Sequence, residues 1–321
     1  MSSEKPVVLI AFDRASEIVD EIQDACGGVR LHVAERPEDL VPQLEALQPE
    51  IVFSIKGRNF PASAHKPIMS FPSVRWVQVG GSGFDHLSPW DEEQLVVTNC
   101  SGVLSSYLSE TVIGAMLALN GNLLTYREQQ RNRIWSPQEF RPISDQSILI
   151  VGLGHIGRQV ADKAKALGMR VVGIRRRQEN HSSVDQLLRP EQLADAVGNA
   201  DVISVHLRLS EETECLFDAE MFAQMQSDAL FLNTSRGGVV DEKALIATLQ
   251  NGGLRGAYLD VFQEEPLPKG SPLWGLENVL VTPHCADDIK GWHLKFARFF
   301  AANLERWIRS EQLQNVVPNQ R

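Results

Sequence analysis

The most constraining feature of this chain is an apolar run that breaks into glycines. Ile148-Leu-Ile-Val151 leads into Gly152-Leu-Gly154-His-Ile-Gly157, and a helical pattern follows over residues 158–167. A glycine turn alone occurs in many α/β proteins. A strand before it, a helix after it and another strand beyond make it a dinucleotide motif. Gly152 permits the tight turn, Gly154 lets backbone approach a pyrophosphate, and Gly157 lets the helix pack close to the sheet. His155 and Ile156 complete the turn. The helix N-terminus then offers free N–H groups and a positive dipole end to the phosphates.

The rest of the chain repeats the strand–helix alternation. β-Branched or apolar runs at 7–12, 31–34, 51–55, 76–79 and 96–99 predict strands, with helices at 15–25 and 37–47. This is a first parallel α/β unit ending near Gly102. Residues 103–125 predict one long apolar helix, followed by an irregular stretch containing Trp135, Pro137 and Pro142. Strands are then predicted at 147–151, 171–174, 202–207, 229–233, 256–261 and 279–282, with an amphipathic helix over 291–309. A length of 321 residues fits two domains.

Charge and cysteines narrow the functional classes. A net charge of −10 repels phosphate backbones and argues against nucleic-acid binding. Cys26, Cys100, Cys215 and Cys285 lack metal-binding spacing, so no metal site or disulfide framework is expected. Reduced thiols suit a cytoplasmic protein. The polar start runs directly into a strand, and no apolar run is long enough to cross a bilayer, so neither a signal peptide nor a membrane partner is expected.

The end of the strand after the glycine turn bears on the cofactor. An acidic residue there would accept hydrogen bonds from the ribose of NAD. Here Arg175-Arg176-Arg177 stands instead, 18 residues after Gly157. Arginine grips a 2′-phosphate with charge-assisted bonds, which points to NADP (NADPH), with NAD still possible. A solvated basic loop is the plainer reading.

Three further residues suit keto-acid chemistry, which needs a cation for the carboxylate and carbonyl, a proton donor, and a group that tunes the donor. Arg236, Glu265 and His284 each follow a predicted strand, where ligands of parallel sheets bind. Singly, they read equally well as a surface arginine, a loop acid and a structural histidine. Together, beyond successive strands of one nucleotide-binding unit, they make a catalytic set.

Four motifs carry a resemblance to a known family: Val151-Gly-Leu-Gly-His-Ile-Gly157, Asn233-Thr-Ser-Arg-Gly237, Leu259-Asp-Val-Phe262 with Glu265-Pro266, and Thr282-Pro-His284. The chain resembles the D-isomer-specific 2-hydroxyacid dehydrogenases over nearly its whole length, most strongly from Asn99 to His284. The resemblance implies that Arg236 binds substrate, His284 is the acid/base and Glu265 pairs with it. It implies that backbone N–H groups at Ser82 and Gly83 hold the substrate carboxylate. It assigns Asp260 to the nicotinamide carboxamide, and Thr234 with His155 and Ile156 to other cofactor contacts. The implied fold is two Rossmann-like or flavodoxin-like α/β domains with a cleft between them. A dinucleotide domain, 103–287, would be inserted in a substrate domain made of 1–102 and 288–321, with a hinge near Gly102 and Asp288. A homodimer contacting through the cofactor domain is also implied.

The sequence departs from the family at two places, and a third segment is charged. Cys285-Ala-Asp-Asp288 follows the histidine, where small residues are usual, and Asp287 and Asp288 bring negative charge toward an anionic substrate. His206-Leu-Arg208 replaces a His-x-Pro, which would set Arg208 near the adenosine phosphate. Lys56-Gly-Arg58 follows a first-domain strand, either facing the cleft or simply solvated. Cys285 reads as packing. The function implied is NADPH-dependent reduction of glyoxylate, hydroxypyruvate or a similar small 2-keto acid. Two alternatives stand beside it: a cofactor-sensing binding protein on the same scaffold, and an NADH enzyme for another acid.

Overall fold

The central apolar runs form strands buried on both faces, which is why they read as continuous Val, Ile and Leu stretches, while the edge strands are only partly buried. The computed structural model describes residues 5–177 and 179–319. The polar start at residues 1–4 lies outside the described residues. The chain divides into two units, Met1–Leu104 with Ile289–Arg321, and Ser105–Asp288.

The first unit contains β1 (Val7–Ala11), α1 (Ser16–Ala25), β2 (Arg30–Ala34), α2 (Pro37–Leu47), β3 (Ile51–Ile55), β4 (Trp76–Gly80) and β5 (Val96–Asn99). The strands form one parallel sheet in the order β2-β1-β3-β4-β5. Pro37 opens α2, where its missing N–H costs nothing and its fixed φ suits the first turn. One face of the sheet buries Leu9, Val52, Val77 and Val79 with Phe60 and Trp90. The C-terminal helix Trp292–Ile308 belongs to this unit. Its Phe300 stacks on Phe53 at 4.4 Å, and its Trp307 stacks on Trp76 at 5.5 Å.

The second unit contains α3 (Ser105–Asn120), α4 (Leu123–Asn132), β6 (Ser147–Val151), α5 (His155–Ala166), β7 (Arg170–Ile174), β8 (Gln186–Leu188), α6 (Leu193–Val197), β9 (Val202–Val205), α7 (Ala219–Ala223), β10 (Leu230–Asn233), α8 (Glu242–Gln250), β11 (Gly256–Leu259) and β12 (Val279–Val281). Its seven strands are parallel in the order β12-β11-β10-β9-β6-β7-β8. Alternation along β6 feeds two cores, Leu149 and Val151 to one and Ile148 and Ile150 to the other. The strand order reverses between β6 and β9. A crevice opens at such a reversal, beyond the carboxyl ends of the strands, and holds ligands in sheets of this kind.

Two sequence expectations need correction. The single helix over 103–125 is broken: α3 stops at Asn120, Gly121 and Asn122 intervene, and α4 runs on to Asn132. Asn122 takes φ 57°, a left-handed conformation that asparagine tolerates and that no continuous helix allows. The strands expected over 202–207 and 256–261 end two residues early, at Val205 and Leu259, since after the bonds from His206 N to Val151 O and from Asp260 N to Asn233 O the chain leaves the ladder.

Candidate active site

The glycine turn shows why each glycine is there. Gly152 has φ +103°, and a Cβ on it would lie 2.4 Å from the His206 carbonyl oxygen at the end of neighbouring β9. A Cβ on Gly157 would lie 2.1 Å from Gly152 O, so the helix could not pack so tightly against the turn. Gly154 is different, since no atom lies within 4 Å of a Cβ built on it. It is the N-cap of α5 and makes no side-chain cap hydrogen bond, so the opening turn at His155 and Ile156 offers its N–H groups to a ligand.

Beside the turn, Arg175 follows β7 with its side chain mostly buried and ion-paired to Glu179 at 2.9 Å. Arg176 pairs with Glu212, and Arg177 is exposed. Arg208 is also exposed, and its carbonyl accepts from Thr213 Oγ1.

Across the reversal, the loops after β10, β11 and β12 carry the proposed chemistry. Asn233 shapes the first: its Oδ1 accepts from Ser235 N and Oγ at 3.0 and 2.7 Å, and its Nδ2 donates to Arg236 O at 3.2 Å. This wraps Thr234-Ser-Arg236 around one side chain. Gly237 then lets the loop press on the next one, since a Cβ there would lie 1.9 Å from Phe262 C. That second loop turns back through Glu265, whose Oε1 accepts from Phe262 N at 3.0 Å. Its Oε2 meets His284 Nδ1 at 2.7 Å. His284 therefore directs Nε2 away from Glu265, toward whatever it serves.

His284 sits at φ 49°, an uncommon conformation for a residue other than glycine. Asp260 holds the loop that imposes it. The Asp260 carboxylate accepts from Thr282 Oγ1 at 2.5 Å, Cys285 N at 2.9 Å and Ala286 N at 3.1 Å, bracketing the histidine. Beyond the Thr-Pro-His spacing, nothing in the residue pattern signals this anchoring.

The electrostatics follow from these contacts. The Glu265 hydrogen bond raises the pKa of His284 above its ordinary 6.5, against burial, which lowers it. Burial pushes Glu265 up, but hydrogen bonds from His284 and Phe262 N outweigh it and leave the carboxyl below its usual range. The Arg236 charge acts on both members of the pair. Asp287 is pushed up, chiefly by burial. Burial also raises the Cys285 thiol, which opposes a thiolate nucleophile.

The second unit fits a nicotinamide dinucleotide on three observations: the uncapped start of α5, the open space over Gly154, and Thr234 Oγ1, which is buried without a hydrogen-bond partner. Thr234 follows β10, two strands from the glycine turn in the sheet order. In the first unit, Ser82 and Gly83 follow β4. Their turn is pinned by bonds from Asn99 Nδ2 to Ser82 O and from Cys100 N to Gly81 O, each 2.8 Å.

A dinucleotide fold whose strand ends gather an imidazole, its carboxylate partner and a guanidinium defines an oxidoreductase. Comparison with known proteins gives the particular kind. The family model for the D-isomer specific 2-hydroxyacid dehydrogenase NAD binding domain matches residues 113–286. A glyoxylate reductase of Korarchaeum cryptofilum is 32% identical over 257 residues, covering 77% of this chain and 76% of that protein. A D-3-phosphoglycerate dehydrogenase of Methanocaldococcus jannaschii is 28% identical and covers 97% of this chain, which spans 59% of that longer protein. Among solved structures, a D-isomer specific 2-hydroxyacid dehydrogenase from Xanthobacter autotrophicus, in complex with NADPH and MES, has a TM-score of 0.80 at 28% identity. It covers 97% of this chain and 98% of its own. The chain belongs to the D-isomer specific 2-hydroxyacid dehydrogenase family.

Proposed function

We propose that this protein reduces glyoxylate, hydroxypyruvate or a similar small 2-keto acid with NADPH. The observation that carries the reading is the His284–Glu265 pair at 2.7 Å with the Arg236 charge acting on both. NADPH, when bound, supplies the hydride to the keto carbon. Arg236 holds the acid and polarises its keto oxygen, and the His284 imidazolium gives that oxygen its proton. Glu265 keeps the imidazolium charged beforehand and orients it. The N–H groups at Ser82 and Gly83 hold the carboxylate. The glycine turn, Thr234, Asp260 and the Arg175 cluster hold the cofactor.

The test is a panel of 2-keto acids with NADPH and NADH, followed by loss of reduced-nicotinamide absorbance. A true substrate should approach ~10 s⁻¹ with NADPH, and Arg175→Asp should weaken NADPH far more than NADH. Tight cofactor binding with no acid turned over would replace the enzyme by a cofactor-sensing protein. A preference for NADH would leave the hydroxyacid chemistry and overturn the cofactor assignment.

A homodimer through the second unit is part of the proposal. Trp135 is 99% exposed, and Leu123, Ile134 and Phe140 near it in sequence are also exposed, a concentration that single surface apolar residues do not explain. Sedimentation should report two chains, and Trp135→Glu should shift the mass toward one. A single-chain mass for the unaltered protein would remove the dimer. No helix among the described residues is long and apolar enough to cross a membrane. Free Cys26, Cys100, Cys215 and Cys285 support a reducing, cytoplasmic setting, and a fractionation that finds the protein in an oxidising compartment would overturn it.

A further inference from the structure

Two guanidinium groups converge on one oxygen beside the glycine turn. Glu179 Oε2 lies 2.9 Å from Arg175 Nη1 and 3.3 Å from Arg158 Nη2. The two arginines come from different elements. Arg175 follows β7, and Arg158 stands in the opening turns of α5, its N–H bonded to Gly154 O at 3.1 Å. The Arg158 Nε is buried without a hydrogen-bond partner. The two guanidiniums thus form a small anion seat flanking the dinucleotide turn, filled by the chain's own carboxylate.

We propose that Glu179 is a specificity-determining residue that competes with the 2′-phosphate of NADPH for the seat between Arg158 and Arg175. The inference rests on the NADPH reading above and adds a second cation and an internal competitor to it. A carboxylate brings one charge and, here, one oxygen to the pair. A 2′-phosphate brings up to two charges and three oxygens, and can bond both guanidiniums at once. Glu179 is 58% exposed on its side chain, so it can return to water when displaced. The Arg175 side chain is only 19% exposed and stays as a fixed wall of the seat. Glu179 therefore weakens the cofactor's phosphate contact without abolishing it, and does nothing comparable to a cofactor that has only a 2′-hydroxyl.

Calorimetric titration of the intact protein with adenosine 2′,5′-bisphosphate and with 5′-AMP isolates the phosphate from the rest of the cofactor. Wild-type protein should bind the bisphosphate more tightly. Glu179→Gln should tighten the bisphosphate by about 3- to 5-fold, the size of an exposed ion pair's contribution, and leave 5′-AMP nearly unchanged. Arg158→Gln should weaken the bisphosphate several-fold more than 5′-AMP. If wild-type protein does not distinguish the two ligands, the NADPH reading itself fails. If it does, but Glu179→Gln leaves the bisphosphate unchanged or weakens it, Glu179 is no competitor and the inference alone is overturned. A loss of 5′-AMP binding in Glu179→Gln would make the carboxylate a ribose acceptor instead.

Discussion

His284 holds a left-handed backbone that costs on the order of 1–3 kcal/mol, and three hydrogen bonds to Asp260 secure it. The strain has a use in the proposed mechanism: it turns the imidazole so that Nδ1 faces Glu265 and Nε2 faces outward. The raised pKa sets the pH dependence. Reduction needs the protonated ring, so kcat/KM for reduction should hold at low pH and fall as pH rises through a value above 6.5. Glu265→Gln removes the charge that raises His284, so the falling limb should move to lower pH. A limb that stays in place would dissociate the pair from proton transfer. His284→Ala should lower kcat by about 10²- to 10⁴-fold with dinucleotide binding retained, as steady-state kinetics and a binding titration would show.

Between elements, the contact that matters most is the one Gly237 permits. Alanine there would put Cβ against Phe262 backbone at 1.9 Å, where neither loop has a flexible side chain to yield. The loops after β10 and β11 would have to separate, carrying Arg236 away from Glu265. Gly237→Ala should cost about 1–3 kcal/mol and about 10²-fold in kcat, seen by denaturant unfolding and kinetics on the same variant. Wild-type values for both would mean the loops need not touch. Some strand ends were legible because apolar runs stop at glycines and polar residues: β3 and β6 match their predicted bounds of 51–55 and 147–151, whereas β9 and β11 stop two residues short of theirs. The break at Gly121-Asn122 was not legible, since one glycine in an apolar helical pattern carries no stop signal on its own. Arg236, Glu265 and His284 could be picked out because each follows a strand. The bonds of Asp260 could not, because they join it to a loop more than 20 residues later, and the meeting of Arg158, Arg175 and Glu179 depends on how β7 lies beside α5.

At the scale of the molecule, histidines that the fold keeps neutral weigh on acid stability, His65 fully buried and His86 and His206 half-buried. Burial holds His65 and His86 in the first unit near pKa 4, and His206 in the second near 3, all below the ordinary 6.5. The folded chain therefore keeps them neutral where the unfolded chain protonates them. The stability this gives is present above pH 6.5 and is lost as pH falls toward 4. His65, with no exposed surface, accounts for up to about 3 kcal/mol of that loss. Denaturant midpoints measured from pH 7 to 4.5 should fall steadily, and a flat profile would show the rings are hydrated. The path of the chain has a consequence for synthesis. The helix that covers Phe53 and Trp76 is encoded after the whole of Ser105–Asp288. At about 5–20 residues per second on the ribosome, β1–β5 emerge first yet wait, one apolar face bare, while the later unit emerges in one piece and completes itself. The segment that closes the first-made sheet is made only after the second unit, so a nascent chain stalled before that segment emerges is a natural client for chaperones.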